Sequence, residues 1–198
     1  MFYKKLRKLA HDEGIPFIVD ETKTGVGATG KMWGHEHWYL QNDTDGGCPD
    51  FVTFGGRAGI SGFYSTLKYK LHPHCTSFSQ DVDMVKLMTY HVIWTTIQRK
   101  RLLDKVQDTS SFLKIELGNI ARDQGFIKDV RGYGCFLAFD CHSRQQADSI
   151  HDWLLKGGIQ LGRIGPNTLC VRPALILKPK NAAHLRDTLA YFHPNHSV

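Results

Sequence analysis

Residues 17–38 read FIVDETKTGVGATGKMWGHEHW, and this stretch sets the expectation for the fold. Its beginning belongs to a short apolar run at Pro16–Asp20, which follows a helical pattern over Phe2–Glu13. A helix that leads into a buried strand is typical of α/β proteins. The run ends in Asp20 and Glu21 beside a glycine-rich turn, and ligands of open α/β sheets gather at the carboxyl ends of strands.

Helical and strand patterns continue to alternate along the rest of the chain. Apolar runs at Asp50–Phe54 and Gly62–Ser65 predict two more strands in the first half. The spacing from Asp81 to Val106 predicts one long helix, and Ser110–Asp123 predicts another. Further strands are expected at Ile127–Val130, Cys135–Asp140, Ile159–Leu161 and Thr168–Leu177, and further helices at Ser143–Leu155 and Asn181–Phe192. The sequence therefore predicts an α/β protein with two domains, residues 1–105 and 106–198.

Composition places the chain among ordinary globular proteins. Of its 198 residues, 41% are hydrophobic and 22% are charged, which excludes disordered, collagenous and coiled-coil classes. The net charge is +6, but basic residues are scattered, and the clusters at 4–8 and 99–101 are interpreted as solvated helix faces. No nucleic-acid motif accompanies them, and no apolar run reaches the roughly 20 residues of a membrane span. We expect neither a nucleic-acid nor a membrane partner.

Five cysteines without a C-x-x-C pair argue against a disulfide framework and a structural zinc site, so a reducing compartment is expected. The first ten residues have the pattern of a basic amphipathic helix, which would suit mitochondrial targeting. Asp12 and Glu13 lead directly into a strand and favour a structural helix instead. The expected location is mitochondrial or cytoplasmic.

Three groups of residues could carry chemistry. Asp20 could hold a cationic group of a ligand, or it could cap the turn that follows its strand. His35 and His37 would share a face if they lay on a strand, but two ligands make an incomplete metal site, and packed, hydrogen-bonded histidines are the expected alternative. Arg172 falls within an apolar run, where its guanidinium could bind a substrate carboxylate or an internal acid.

Four segments, taken together in order, resemble the class III pyridoxal-phosphate-dependent aminotransferases. They are the stretch 17–38, PDFVTFG from Pro49, VRGYG from Val130 and VRPAL from Val171. The resemblance covers nearly the whole chain and implies part of a type I fold, in which a sheet of the major domain precedes a small C-terminal α/β domain. The activity that the resemblance implies is the transfer of an ω-amino group from 4-aminobutyrate or lysine to 2-oxoglutarate. The implied ligands are therefore small amino and keto acids. The implied assembly is a homodimer or a dimer with a full-length homologue.

The resemblance also implies roles for single residues. Asp20 matches the aspartate that pairs with the protonated pyridine nitrogen of pyridoxal phosphate, so that the ring can act as an electron sink. Lys23 stands where the family has a residue on the phenolic oxygen of the cofactor, and Ser77 approximates the residue that contacts its phosphate from a neighbouring subunit. Arg172 matches the arginine that receives a substrate carboxylate.

One position departs from the family. The pattern D-x-x-T-F-[SG]-K, counted from Asp50, places the Schiff-base lysine at Gly56. Glycine has no amine to hold the cofactor or to move the substrate proton, so this chain contains no expected catalytic residue. The resemblance therefore allows three interpretations. The chain is an aminotransferase represented by a partial or divergent chain, a catalytically inactive homologue that acts as a partner or ligand-binding subunit, or a decayed fragment with no molecular role.

Overall fold

A computed structural model describes residues 2–40, 47–70 and 83–193 of the chain. The polypeptide divides into two compact units, Met1–Arg101 and Leu102–Val198. The first unit contains α1 (Phe2–Asp12), β1 (Ile18–Asp20), β2 (Phe51–Phe54), β3 (Gly62–Ser65) and α2 (Met84–Arg99). The second contains α3 (Leu102–Asp123), β4 (Ile127–Tyr133), β5 (Phe136–Cys141), α4 (Arg144–Lys156), β6 (Gly162–Ile164), β7 (Thr168–Val171) and α5 (Pro179–Ala190).

The sheet of the first unit has the order β1-β2-β3. Strand β1 runs parallel to β2, with Ile18 beside Phe51 and Asp20 beside Thr53, whereas β3 is antiparallel to β2. This pairing confirms that the apolar runs ending at Asp20 and Phe54 are neighbouring strands of one sheet. Because the two strands are parallel, the residues that follow them emerge at the same edge.

Helix α1 turns a charged residue inward and apolar residues outward. Arg7 is buried, and its Nη1 lies 3.1 Å from Asp50 Oδ2, while its Nε donates to the Cys48 carbonyl at 3.0 Å. Phe2 and Leu9 are 69% and 58% exposed. The interpretation of the 4–8 cluster as a solvated helix face is therefore wrong for Arg7, because a buried carboxylate gives its guanidinium a partner.

The prediction of one long helix through Val106 and another from Ser110 is wrong. Helix α2 ends at Arg99, and Arg101 takes a left-handed conformation with φ 49° that interrupts the helical path. Helix α3 then runs without a break past Ser110, whose hydroxyl donates to the Gln107 carbonyl inside the helix. Asp81 lies outside the described residues, and Asp83 caps α2 by accepting from the Lys86 amide.

The second unit is a four-stranded antiparallel sheet of order β4-β5-β7-β6 with helices α3, α4 and α5 on one face. Its core joins alternating strand residues such as Leu137, Phe139 and Leu169 to the apolar faces of the helices. The opposite face carries Phe136, Ala138 and their neighbours on the adjoining strands. No helix in the described ranges is long and apolar enough to cross a membrane.

The strands of this unit depart from their predicted bounds, and β4 continues past Val130 to Tyr133. Ile159 closes helix α4 by donating its amide to the Leu154 carbonyl, so the strand expected at Ile159–Leu161 starts only at Gly162. Strand β7 stops at Val171 instead of running to Leu177. Pro173 has no amide hydrogen to offer a sheet, which is consistent with this early end.

Candidate functional site

Glu21 organises the loop that follows β1. Its side chain is 2% exposed, and Oε1 accepts hydrogen bonds from the His35 amide at 2.7 Å and from His35 Nδ1 at 2.9 Å. Oε2 accepts from the Gly34 amide at 2.9 Å and from the Thr24 hydroxyl. Burial raises the pKa of Glu21, but the hydrogen bonds from His35, Thr24 and Gly34 outweigh it and leave that pKa below its ordinary value.

Gly34 is needed for this arrangement because a Cβ there would lie 2.9 Å from Glu21 Oε2. Sequence reasoning placed Glu21 at the end of a strand but did not anticipate its role as the centre of this loop. The only signal available was an acid next to a glycine-rich segment, and it gives no partner thirteen residues away.

Asp20 lies at the same strand end, but it faces outward. Its Oδ1 accepts from the Thr22 amide and from the Thr53 hydroxyl, each at 2.9 Å. These bonds, with the Thr22 amide contributing most, hold the pKa of Asp20 below its ordinary value. The Thr22 side chain also hydrogen-bonds to the Asp20 carboxylate, which is exposed. Asp20 thus caps the following turn and presents an exposed, ionised carboxylate at this edge of the sheet.

The histidines of the HEH segment do not lie on a strand. The strand geometry that would place His35 and His37 on one face is therefore not present. Gly34–Trp38 forms a 3₁₀ helix, in which His35 bonds to Glu21 and His37 Nε2 donates to the Thr29 carbonyl at 3.2 Å. Burial lowers the pKa of His37. The packed, hydrogen-bonded alternative is confirmed, and ranges 2–40, 47–70 and 83–193 bring together no group of three metal-ligating side chains.

Gly56 lies beside the residues that follow β1. Its φ is +55°, and a Cβ at this position would lie 3.2 Å from the Thr22 carbonyl oxygen. Thr22 in turn donates its amide to Asp20. The position that the family pattern assigns to the lysine is therefore at the same edge of the sheet as Asp20.

The remaining first-unit residues expected at a site are Lys23 and Ser77. Lys23 is exposed, and its charge helps to lower the pKa of Asp20, three residues earlier. Ser77 lies outside the described residues. The structure therefore brings Asp20, Lys23 and Gly56 to one edge.

Arg172 belongs to the second unit and does not lie inside a strand, which corrects the expectation of a guanidinium within an apolar strand. It follows β7 directly and is exposed, with its guanidinium carbon 4.8 Å from the centre of the Phe136 ring. No acid of the described residues forms an ion pair with it. Of its two expected partners, the internal acid is absent from the described part of the chain.

A cavity of about 340 Å³ opens on the face of the second sheet that carries no helix, and both Arg172 and Arg131 line it. Arg131 is neutralised because its Nη2 lies 2.9 Å from Asp140 Oδ1. That hydrogen bond, followed by one from the Thr168 hydroxyl at 2.6 Å, holds the pKa of Asp140 below its ordinary value. Arg172 supplies the uncompensated positive charge of the cavity.

The chain belongs to the class III aminotransferases, since the family model described as aminotransferase class-III matches residues 1–192. Pyridoxal phosphate is the cofactor of that family.

Among its relatives are enzymes named 4-aminobutyrate aminotransferase. The one from Dictyostelium discoideum is 35% identical over 193 residues, which cover 96% of this chain and 37% of the relative. The mitochondrial enzyme from Homo sapiens is 32% identical over 187 residues, which cover 91% of this chain and 36% of the relative. The chain thus spans little more than a third of the length of these curated relatives.

Solved transaminase structures share the fold. A lysine aminotransferase from M. tuberculosis superposes with a TM-score of 0.80 at 20% identity and covers 95% of this chain and 43% of that protein. A transaminase from the marine bacterium Virgibacillus gives a TM-score of 0.82 at 22% identity and covers 96% of this chain and 47% of that protein. The α/β architecture is thus part of the type I fold of pyridoxal-phosphate enzymes, as the sequence resemblance implied.

The residues present fit one end of pyridoxal phosphate and not the other. Asp20 offers an ionised carboxylate oxygen, which suits a protonated ring nitrogen. Gly56 offers no amine, and its backbone has the left-handed conformation that favours glycine. The site therefore does not fit covalent attachment of the cofactor at this position.

Proposed function

We propose that this chain is a catalytically inactive homologue of 4-aminobutyrate aminotransferase that retains binding groups for the cofactor ring and for a substrate carboxylate. The observation that carries this proposal is that Gly56, at the same edge of the sheet as Asp20, has no amine. In the family, the bound cofactor acts as the electron sink for moving an ω-amino group to 2-oxoglutarate. Without the lysine, this chain loses both the covalent link and the base for proton transfer.

The retained groups have definite roles in this proposal. Asp20 keeps a negative charge at neutral pH because the Thr22 amide and the Thr53 hydroxyl stabilise the ionised form. Arg172 binds the carboxylate of an amino or keto acid, since its guanidinium has no acidic partner among the described residues. The protein that contains this chain acts as a ligand-binding or partner subunit, either as a homodimer or beside a full-length homologue, in the mitochondrion or the cytoplasm.

The competing possibility is that another lysine replaces the missing amine. Lys23 is the candidate because it follows Asp20 by three residues and acts on its carboxylate electrostatically. Its side chain is exposed, which supports a solvent-facing lysine rather than a buried nucleophile. We therefore propose that Lys23 does not form an imine with the cofactor.

The test is borohydride reduction of the full-length protein with pyridoxal phosphate, followed by peptide mass mapping and an assay with 4-aminobutyrate and 2-oxoglutarate. We expect no turnover and no specific adduct on the residues of this chain. The matched variants are Lys23→Ala and Lys31→Ala, since Lys31 lies in the same loop and donates to the Glu36 carbonyl. A label on Lys23 that disappears together with turnover in Lys23→Ala, but not in Lys31→Ala, would overturn the proposal.

A further inference from the structure

We propose that Phe136 is a positioning residue for Arg172, holding its guanidinium flat so that the N–H edges face a carboxylate ligand in the cavity of the second sheet. This inference rests on the proposed carboxylate-binding role of Arg172 and adds a residue that the family pattern did not single out. It follows from the placement of Phe136 on β5 beside Arg172, which directly follows the neighbouring strand β7.

The register of the sheet brings the two residues together. Strands β5 and β7 are antiparallel, with Leu137 opposite Val171. The next pair in this register is Phe136 and Arg172, and the guanidinium carbon lies 4.8 Å from the centre of the ring. Both side chains line the same cavity of about 340 Å³.

An exposed arginine needs such a support in order to bind selectively. A free guanidinium samples many rotamers, and ordering it on binding costs conformational entropy. Contact with an aromatic ring restrains the group and occupies one of its faces, while the donors in its plane stay available. The planar fork of donors then matches the geometry of a carboxylate.

The other cation of the cavity does not compete for this ligand. Arg131 is bonded to Asp140 at 2.9 Å, and Asp140 also accepts from the Thr168 hydroxyl. The rest of the lining, including Ile164 and Cys170, is largely apolar. The cavity therefore suits an aliphatic acid with its carboxylate on Arg172 and its carbon chain along the sheet.

The experiment is calorimetric titration of 2-oxoglutarate into the full-length protein and its variants, with thermal melts as a folding check. We expect Arg172→Gln to weaken binding by more than about tenfold, because it removes the charged fork. Phe136→Leu should weaken it by about three- to tenfold, and Phe136→Tyr, which keeps a ring, should stay within about twofold of the wild type. The matched control is Phe112→Leu, which removes a ring from a different arginine, the one whose centre lies 5.5 Å from the Arg186 guanidinium carbon, and should leave binding unchanged.

A double variant separates positioning from a general structural effect. If Phe136 acts through Arg172, Phe136→Leu causes no further loss in the Arg172→Gln background. A further loss of the same size as in the wild type would overturn the inference, as would unchanged binding in Phe136→Leu alone. In both cases, weakened binding in Arg172→Gln would leave the proposed function intact. No binding to the wild type, or no effect of Arg172→Gln, would overturn the proposed carboxylate site and this inference together.

Discussion

Arg7 and Asp50 form a buried ion pair that ties helix α1 to the start of β2. Arg7 Nη1 lies 3.1 Å from Asp50 Oδ2, and the two side chains are 7% and 9% exposed. Asp50 Oδ2 also accepts from the Phe17 amide at 2.8 Å, so the same carboxylate fixes the entry to β1. One acid therefore sets the position of a helix and two strands.

Removing one partner of this pair should destabilise the protein strongly. Arg7→Met leaves the Asp50 carboxylate buried without its counter-charge, and we expect the free energy of unfolding to fall by about 3–5 kcal/mol. Urea denaturation measures this loss. The control is Lys8→Met, which breaks an exposed pair with Asp12 and should cost less than about 0.5 kcal/mol. Equal effects of the two variants would contradict the buried pair.

Stability should depend on the ionisation of Glu21 in acid. The folded-state pKa of Glu21 lies below its ordinary value of 4.5, so its contribution is present above that value and is lost as the pH falls through the folded-state pKa. Glu21→Gln should cost about 1–3 kcal/mol at neutral pH and should flatten the stability profile as the pH falls below the ordinary pKa of 4.5. Denaturant unfolding at a series of pH values tests both effects.

The control for Glu21 is Glu13→Gln, at an exposed position of the same unit. This variant should change the free energy of unfolding at neutral pH by less than about 0.5 kcal/mol. If Glu21→Gln keeps the full acid dependence of the wild type, other groups are responsible for it.

Alanine substitutions at two glycines should change the stability of the protein in opposite directions. Gly56→Ala places a Cβ on a left-handed residue 3.2 Å from a carbonyl oxygen, and we expect a loss of about 1–2 kcal/mol. Gly118 lies in helix α3 with nothing within 4 Å of an added Cβ, so Gly118→Ala should gain about 0.5–1 kcal/mol. Thermal melts of the two variants against the wild type give the signs, and a gain for Gly56→Ala would show that the conformation is not strained.

The cysteines should differ in reactivity. Burial raises the pKa of the Cys141 thiol to about 11, whereas Cys48 is exposed. Iodoacetamide at pH 8 should therefore alkylate Cys48 at least about 100-fold faster than Cys141, because the thiolate is the reactive form. Peptide mapping assigns each site, and Cys48→Ser is the control for the fast reaction. Rapid labelling of Cys141 without denaturant would refute its burial.

The sequence pattern was sufficient to predict helices and strands that are specified by their own residues. The apolar run to Asp20 and the run from Asp50 to Phe54 became paired strands because few other structures can bury such short runs. The break at Arg101 was missed because a left-handed residue that is not glycine has no sequence signal.

The site was predictable only where the chemistry is carried by one residue. Asp20 was recognised as a strand-end acid, and the absence of an amine at Gly56 is evident from the sequence alone. The network around Glu21 includes Gly34 and His35, thirteen and fourteen positions away, and the contact between Phe136 and Arg172 depends on strand register. Neither can be obtained before the fold is known.

The conformation of Gly56 also bears on how such a protein can evolve. A single substitution is enough to remove an amine from a polypeptide. An amine-bearing side chain at this position would meet a backbone at φ +55° and the nearby Thr22 carbonyl, both of which oppose a side chain with a Cβ. Any residue other than glycine here therefore requires the Thr22 peptide to move by a few tenths of an ångström and a strained backbone to be tolerated, so the position selects for glycine.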